Sequence, residues 1–297
     1  MSQHRGRAAA SAIGAGVLFG TSGTTKVLAA TGASSLSVAA VRTLVGAAGL
    51  VVLASRQREF PRLVRLWRRP LTWLMGAAVA GYMGLFFTSV QFGGVAIASL
   101  ASVSLSPFFA ALFARMYGAP WPGRAWLVST ILAIIGVVLL GWQSGGSSGS
   151  SRVLRALFAA AAGASYSYYT AVSAHLVHDD HHATDALAAS FTIGGLLMLP
   201  WLLRDSSWLM TPRGFAMAVW LGIAATTVSY VLFGYAITHL APGIVTTLVL
   251  SEPLTATLLG VGVLHESMPV RGWFGCVCIA GGLALTARHE IRSAGHV

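Results

Sequence analysis

Three charged residues lie within apolar stretches of this sequence, where a charge can bind a substrate or a proton. Glu252 is the carboxylate placed deepest in such a stretch. A charge near the centre of a bilayer costs at least about 2.5–3.5 kcal/mol, so it requires compensation or protonation. Glu252 is therefore a candidate proton or substrate-amine site whose occupancy drives antiport. The alternative is a protonated or hydrogen-bonded carboxyl that satisfies backbone groups freed by the adjacent Pro253.

Two basic residues lie within apolar runs of the first half of the chain. Arg42 falls about eight residues into its run, or about 12 Å at 1.5 Å per residue. It could bind a substrate carboxylate, or anchor helices through backbone carbonyls or Glu252, since charges inside membranes usually pair. Lys26 is a second candidate for a substrate or proton site. Its position near a helix end also suits a structural side chain that extends to the interface.

Aromatic and hydroxyl side chains are spaced so that they share helix faces in three separate apolar runs. Such faces suit the wall of a cavity for an amphipathic or aromatic solute. The alternative is ordinary helix packing and interfacial aromatic belts. The candidates are Tyr82 with Phe86 and Ser89, Tyr166 with Tyr169, and Tyr230 with Thr226, Ser229 and Phe233.

Histidine and aspartate residues cluster between the sixth and seventh apolar runs. His178 and His182 are four residues apart, which on a helix is a possible metal-binding spacing. The position predicts a solvated or pH-responsive loop instead, and no metal site is assigned. The cluster comprises His175, His178, Asp179, Asp180, His181, His182 and Asp185.

The composition indicates which elements must position these residues. Of 297 residues, 56% are hydrophobic and 9% are charged, against about 25% charged in soluble domains. A membrane helix needs about 20 mostly apolar residues, and ten runs meet this requirement. The sequence therefore predicts an all-α integral membrane protein with ten transmembrane helices. The runs are 8–28, 35–54, 71–91, 94–114, 125–142, 153–174, 185–203, 214–237, 241–263 and 270–287.

The positions of the basic residues predict the orientation. The net charge of +11 does not indicate nucleic-acid binding, because six of the nineteen lysine and arginine residues fall in one short loop. If the N-terminus lies inside, twelve of the nineteen lie inside, five outside and two within helices. We therefore predict a multi-pass protein of the cell (cytoplasmic) membrane with both termini in the cytoplasm.

The chain divides into two similar halves. A Gly/Ser linker at 143–152 separates a first half, 1–142, from a second half, 153–297. Each half has five helices, and because five is odd the two halves have opposite orientations. At an offset of 146 residues, Pro107 aligns with Pro253, Ala110 with Ala256 and Gly136 with Gly282. Pro107 and Pro253 are candidate helix breaks, and breaks at equivalent positions mark transport sites.

The stretch Leu250-Ser251-Glu252-Pro253-Leu254, in the ninth apolar run, is the most specific of several that resemble the drug/metabolite transporter superfamily, in its EamA-type ten-helix branch. This family has a Glu-Pro in its ninth helix. The second half lacks counterparts of Lys26 and Arg42, and the first half lacks the glutamate. The other matching stretches are Phe19-Gly20-Thr21-Ser22, Val41-Arg42-Thr43-Leu44, Leu105-Ser106-Pro107, Leu264-His265-Glu266, and the glycines 272, 275 and 281–282.

The resemblance implies a carrier of small molecules and no cofactor. We expect a secondary transporter that exports a small metabolite, an amino acid or a related amphipathic compound, by alternating access, with protons as a candidate coupling ion. The alternatives are efflux of cationic drugs by the same fold and a membrane-embedded enzyme, which would need a constellation of catalytic groups that the sequence does not show. The substrate, the direction of transport and the oligomeric state stay open.

Overall fold

The computed structural model describes residues 2–56, 60–93, 95–141, 150–178 and 182–293. Every regular element in these residues is a helix. The first half contains α1 (Ser2–Ala29), α2 (Ser35–Arg56), α3 (Phe60–Trp67), α4 (Pro70–Gly93), α5 (Val95–Met116) and α6 (Arg124–Gly141).

The second half begins with α7 (Ser150–His178) and α8 (Ala183–Arg204), followed by a short 3-10 helix at Ser207–Met210. The predicted linker lies largely outside the described residues, but its last three residues belong to α7. The remaining elements are α9 (Pro212–Val219), a π-helical segment (Trp220–Val228), α10 (Ser229–His239), α11 (Pro242–Leu248), α12 (Ser251–Gly262) and α13 (Val270–Ser293).

The helices of the described residues form ten long units, as predicted from the apolar runs, together with the short α3. Two of the units are compound, namely α9–π–α10 and α11–α12. Within the described residues, five units are long and apolar enough to cross a membrane by length and composition alone. They are Ser35–Arg56, Ala183–Arg204, Pro212–His239, Pro242–Gly262 and Val270–Ile291.

Helix α3 was not predicted, because it lies in the arginine-rich connection between two apolar runs. Its apolar residues Leu63 and Leu66 are fully buried and join the main core of the bundle. This spacing of three residues puts both side chains on one face of a helix. Helix α3 is therefore packed against the bundle rather than extended in solvent.

The packing of α6 against α13 shows the pseudo-symmetry of the two halves. A Cβ on Gly136 would lie 2.5 Å from the Gly275 carbonyl oxygen and 2.7 Å from Ile279. A Cβ on Gly282 would lie 2.6 Å from the Ser129 carbonyl oxygen and 2.8 Å from Ala133. Each glycine and each of its contacts has its counterpart 146 residues away. The two repeats therefore present the same surface to each other, as in a two-fold interface.

The two prolines at equivalent positions behave differently. Helix α5 continues through Pro107 from Val95 to Met116, so no break occurs there. The ninth unit is broken, but at Val249 and Leu250, a turn before Pro253. In a continuous helix the Pro253 ring would collide with the Val249 carbonyl. In this structure Val249 instead accepts a 2.8 Å hydrogen bond from the Glu252 N–H, and Pro253 occupies the first turn of α12, where a proline is tolerated.

Candidate functional site

A cavity of about 680 Å³ opens among α1, α2, α4 and α12. It extends to the connection between α1 and α2, residues Ala30–Ala33, and we call this end of the bundle the mouth end. The opposite end, where α3 connects α2 to α4, is the arginine end. Four of the predicted site residues line this cavity, together with Phe19 and Ala256. They are Lys26, Arg42, Tyr82 and Glu252.

Arg42 is held by groups from both repeats. One guanidinium nitrogen donates to the Ser22 hydroxyl at 3.4 Å, and another donates to the Ala225 carbonyl at 3.3 Å. Ala225 belongs to the π-helical segment, and such segments are frequent at functional sites because they disturb the regular hydrogen-bond ladder. Both contacts are long, so they orient the guanidinium while leaving it exposed to the cavity.

Close approach of α2 to the π segment makes the contact of Arg42 with Ala225 possible. A Cβ on Gly46, one turn beyond Arg42, would lie 2.7 Å from the Cβ of Thr226. Within the π segment, the Thr226 hydroxyl donates to the Leu221 carbonyl five residues earlier, at 2.7 Å. Gly46 on α2 and the Thr226 hydroxyl in the π-helical segment together set the distance between α2 and this segment.

Glu252 is positioned by the break between α11 and α12. It is the second residue of α12, where the helix dipole favours a negative charge. Gly16 and Gly20 of α1 form a GxxxG motif that packs against this break. A Cβ on Gly20 would lie 2.6 Å from the Glu252 carbonyl oxygen, and the Ser251 hydroxyl donates to the Ile13 carbonyl at 3.0 Å. The glycine face of α1 therefore sets where the carboxylate enters the cavity.

Arg42 and Glu252 both line the cavity, but no contact of 4.0 Å or less joins their charged groups. Within the described residues, the ion pair found at 4.0 Å or less joins Arg5 and Glu290 at the arginine end. No side-chain hydrogen bond reaches the Glu252 carboxylate from the described part of the chain. The two charged groups therefore line the same cavity without forming an ion pair with each other.

Lys26 lies at the mouth of the cavity, and its ammonium group donates to the Ser35 hydroxyl. The intervening loop turns at Ala30 and Gly32, which have positive φ angles of 47° and 67°. Lys26 is thus on the path between the cavity and the surface, near the end of its helix.

A network ties the start of α2 to the connection after α8 at the mouth end. The Asp205 carboxylate accepts the Ser34 N–H at 2.7 Å, and the Ser37 hydroxyl donates to the Asp205 carbonyl. Trp208 Nε1 lies 2.9 Å from the Ser37 hydroxyl oxygen. The hydrogen bonds from Ser34 hold the pKa of the Asp205 carboxyl below its usual value.

Tyr166, Tyr169 and Tyr230 do not line the cavity but form a buried aromatic cluster behind it. The Tyr82 ring in the cavity wall lies 5.7 Å from that of Tyr166, between centroids. The hydroxyl groups of Tyr169 and Tyr230 are 2.6 Å apart and buried, and the Phe191 ring lies tilted against that of Tyr230, with centroids 4.3 Å apart. This aromatic cluster closes the cavity toward the arginine end.

The predicted histidine and aspartate loop is only partly a loop. His175 is half-buried in α7, where its ring stacks on Tyr117 with centroids 4.7 Å apart. Asp185 is fully buried in the first turn of α8. His182 is exposed. The remaining members, Asp179, Asp180, His181 and the side chain of His178, lie outside the described residues, as do the side chains of Phe86 and Ser89.

Sequence reasoning missed three contributors to the site. Phe19 was noted only as part of a motif, yet its ring lies 5.0 Å from that of Tyr230. Ser22 and the Ala225 carbonyl, the partners of Arg42, were not proposed. A carbonyl partner has no side-chain signature, so the sequence contains no signal for Ala225. The run of hydroxyl residues Thr226, Thr227 and Ser229 was the available sign of an irregular helix.

A comparison with known families matches both halves of the chain. The EamA-like transporter family matches residues 6–142 and, separately, residues 154–288. The chain belongs to the EamA-like transporter family. It is 34% identical over 271 residues to the uncharacterized transporter YwfM of Bacillus subtilis (strain 168), and this alignment covers 91% of the chain and 90% of that protein. A solved crystal structure 21% identical in sequence shares the fold, with a TM-score of 0.79 over 96% of this chain and 98% of that chain.

Membership in the EamA-like transporter family confirms the resemblance seen in the Glu252-Pro253 stretch and the paired glycines. An EamA-like transporter is an all-helical membrane protein built from two repeats. In this one the cavity lies between repeats, since Arg42 and Lys26 belong to the first match and Glu252 to the second.

Proposed function

We propose that this protein is a secondary transporter that exports a small amphipathic metabolite, an amino acid or a related compound, from the cytoplasm by alternating access. The observation that carries the proposal is the cavity in which Arg42 and Glu252 face each other without pairing. Its volume of about 680 Å³ is within the range of about 300–1,000 Å³ typical of small-molecule sites. The proposal includes export and the cytoplasmic location of both termini, which the family resemblance and the arginine distribution support.

The chemistry of the cavity supports a substrate that carries a carboxylate, an amine and an apolar group. The Arg42 guanidinium suits a carboxylate, since its fork of N–H groups can donate two parallel hydrogen bonds. The Glu252 carboxylate suits an ammonium group or a proton. Phe19 and Tyr82 supply aromatic surface beside these charges. A zwitterion with an apolar side chain would satisfy all three groups at once.

Efflux of a cationic drug is the second candidate, and the observation in its favour is Glu252 beside aromatic rings. An aromatic ring attracts a cation through its negative face. The same cavity also contains two cationic side chains, Lys26 and Arg42, which repel a purely cationic substrate. The excess of positive charge therefore favours the carboxylate-bearing substrate.

In this proposal Glu252 couples substrate movement to protons. A carboxyl at a helix break can bind a proton when the substrate amine leaves and release it when the amine returns. The cavity is open at the mouth end, so the opposite state requires the aromatic cluster around Tyr169 and Tyr230 to separate. Motion of one repeat against the other would open one end and close the other.

Counterflow in proteoliposomes tests the proposal. Liposomes containing the purified protein are loaded with one compound from a panel of amino acids and cationic dyes, and entry of its labelled form is measured. We expect saturable counterflow for an amino acid that carries an apolar side chain. Counterflow of the dyes alone would favour drug efflux. The absence of flux for the whole panel, with folded protein, would contradict the metabolite proposal and favour an enzyme or a receptor.

A further inference from the structure

The connection between α2 and α4 concentrates positive charge at the arginine end. Six arginines and one glutamate occur between positions 56 and 69. Those whose side chains the structure describes are all exposed. We call them the α3 arginine surface: Arg56, Arg65, Arg68 and Arg69.

The α3 arginine surface is built on a rigid support. Leu63 and Leu66 anchor α3 in the core, where it packs against α8. The chain then continues in tight turns, in which the N–H groups of Arg68 and Arg69 donate to carbonyls three residues earlier at 3.2 and 3.0 Å. The backbone that carries Arg65, Arg68 and Arg69 is therefore held by α3 and by the turns that follow it.

The positive charges of this surface have no partner within the described part of the protein. None of the four arginines has a carboxylate within 4.0 Å there, and the ion pair found joins Arg5 to Glu290. The whole chain contains eight acidic residues, so it offers few internal counterions. Because these arginines are exposed, anions from outside the protein can reach them.

The position of the surface indicates what neutralises it. Helix α3 connects the ends of two long helices of a membrane protein. We therefore place it at the level of the lipid headgroups. Trp73, which follows it, is 53% exposed and donates its indole N–H to the Trp67 carbonyl at 2.9 Å. Tryptophan is enriched at this depth of the bilayer.

We propose that the α3 arginine surface binds the phosphate headgroups of anionic phospholipids at the membrane surface. Guanidinium groups bind phosphate oxygens through paired, charge-assisted hydrogen bonds. Clusters of four to eight basic residues beside a membrane helix attract anionic lipid, and each basic residue adds a similar amount to this attraction. The bound lipids hold the α2–α3–α4 connection in place. They thereby also hold the C-terminal end of α2, the helix that carries Arg42.

Lipid binding to the full-length protein in detergent micelles tests this proposal. Phosphatidylglycerol or phosphatidylcholine is added, and retained lipids are counted by native mass spectrometry alongside the melting temperature. The test variant is Arg65→Gln/Arg68→Gln/Arg69→Gln. The matched control, Arg204→Gln/Arg213→Gln/Arg271→Gln, removes three exposed arginines from the mouth end.

We expect wild type and the control variant to bind phosphatidylglycerol at least tenfold more tightly than phosphatidylcholine. The test variant should lose most of this preference, and 500 mM NaCl should weaken it in wild type. Arg65→Lys/Arg68→Lys/Arg69→Lys keeps the charge and should retain part of the preference, even if the glutamine variant does not fold.

Equal binding of both lipids by wild type would overturn the proposal and leave the arginines as signals of orientation alone. Equal loss of preference in the test and control variants would also overturn it, because the effect would then depend on net charge and not on this surface. Binding of soluble glycerol phosphate as tight as that of the lipid would contradict a lipid site. The test measures no transport, so its result is independent of the function proposed above.

Discussion

The Arg42 guanidinium and the Glu252 carboxylate face one cavity from opposite repeats, yet they do not form an ion pair within 4.0 Å. Opposite charges in a membrane protein usually pair, because an isolated charge in a medium of low dielectric constant is costly. Here α2 is held on the π segment and α12 on the glycine face of α1, so the two groups are fixed apart. The Ser22 hydroxyl and the Ala225 carbonyl compensate part of the Arg42 charge. The Glu252 carboxylate is left to be compensated by water, a proton or a substrate.

The coupling role of Glu252 predicts the behaviour of Glu252→Gln. A glutamine cannot release a proton, so we expect this variant to lose acceleration of transport by a pH gradient while its melting temperature stays close to that of wild type. The measurement is flux of the compound identified by counterflow, with and without the gradient. Glu266→Gln, which changes an exposed carboxylate after α12, is the matched control. Unchanged gradient dependence in Glu252→Gln would rule out this residue as the coupling site.

The excess of cationic side chains predicts a positive potential in the cavity. Gly23 lines the cavity, and an added Cβ there meets no atom within 4 Å, so Gly23→Cys provides a thiol reporter in a Cys276→Ser/Cys278→Ser background. We expect anionic methanethiosulfonate reagents to react faster than cationic ones. One unit charge nearby contributes on the order of 1 kcal/mol, with opposite sign for the two reagents, so Arg42→Gln should lower this ratio by roughly 30-fold.

Gly123→Cys at the arginine end is the control for this measurement, because an added Cβ there also meets open space. The ratio of its reaction rates should not respond to Arg42→Gln. A preference for cationic reagents at position 23 in the wild-type background would contradict a carboxylate-binding cavity.

The enclosed hydroxyl pair of Tyr169 and Tyr230 predicts non-additive stability effects. Removing one hydroxyl leaves the other buried without its partner, which costs more than the net value of the hydrogen bond. Tyr169→Phe and Tyr230→Phe should each lower the free energy of unfolding by about 1–2 kcal/mol, and the double variant by less than the sum. Chemical unfolding in mixed micelles measures both. Strict additivity would show that the pair is not coupled.

Tyr168→Phe serves as the comparison for the tyrosine pair. The Tyr168 hydroxyl lies 3.4 Å from that of Tyr117 and is only partly buried, so its loss should change stability little.

The glycine contact between α6 and α13 predicts a steric requirement. Gly136→Ala would place a methyl group 2.5 Å from the Gly275 carbonyl oxygen, so the helices must separate. We expect Gly136→Ala to lower the free energy of unfolding by about 1–3 kcal/mol, the usual cost of overpacking. Gly262→Ala, where an added Cβ meets nothing within 4 Å, should be neutral. Equal stability of the two variants in the same unfolding assay would contradict the close interface.

The Asp205 network predicts a pH-dependent contribution to stability. Its pKa is lower in the folded state than the value of about 3.9 expected for an unfolded chain. The stabilisation is therefore complete above that value and is lost as the pH falls through the lower, folded-state pKa. At pH 7 we expect Asp205→Asn to melt below wild type by no more than about 3 °C, since the carboxylate is exposed.

The melting difference between wild type and Asp205→Asn should close as the pH falls below about 4. A difference that persists unchanged at low pH would show that the effect does not come from ionisation of the carboxylate.

The sequence by itself determined the membrane class, the ten helical units and the two-repeat organisation. These depend on local properties, namely the length of apolar runs and the pairing of residues such as Gly136 and Gly282 at one offset. The charges that line the cavity were also visible, because Lys26, Arg42 and Glu252 stand out in apolar runs. A charge in such a run is costly wherever the helix packs, so its presence alone marks the position.

Only the tertiary structure decided how these residues relate to one another. In the folded protein Arg42 and Glu252 do not pair, and Tyr82 lies in the cavity wall. Tyr169 and Tyr230 lie behind that wall. The tertiary structure also put the helix break at Val249 and Leu250 rather than at Pro253, and kept α5 continuous through Pro107. Distances between helices depend on how each helix rotates and on where glycines let backbones meet. These are sums of many small packing energies between distant parts of the chain, which no local pattern encodes.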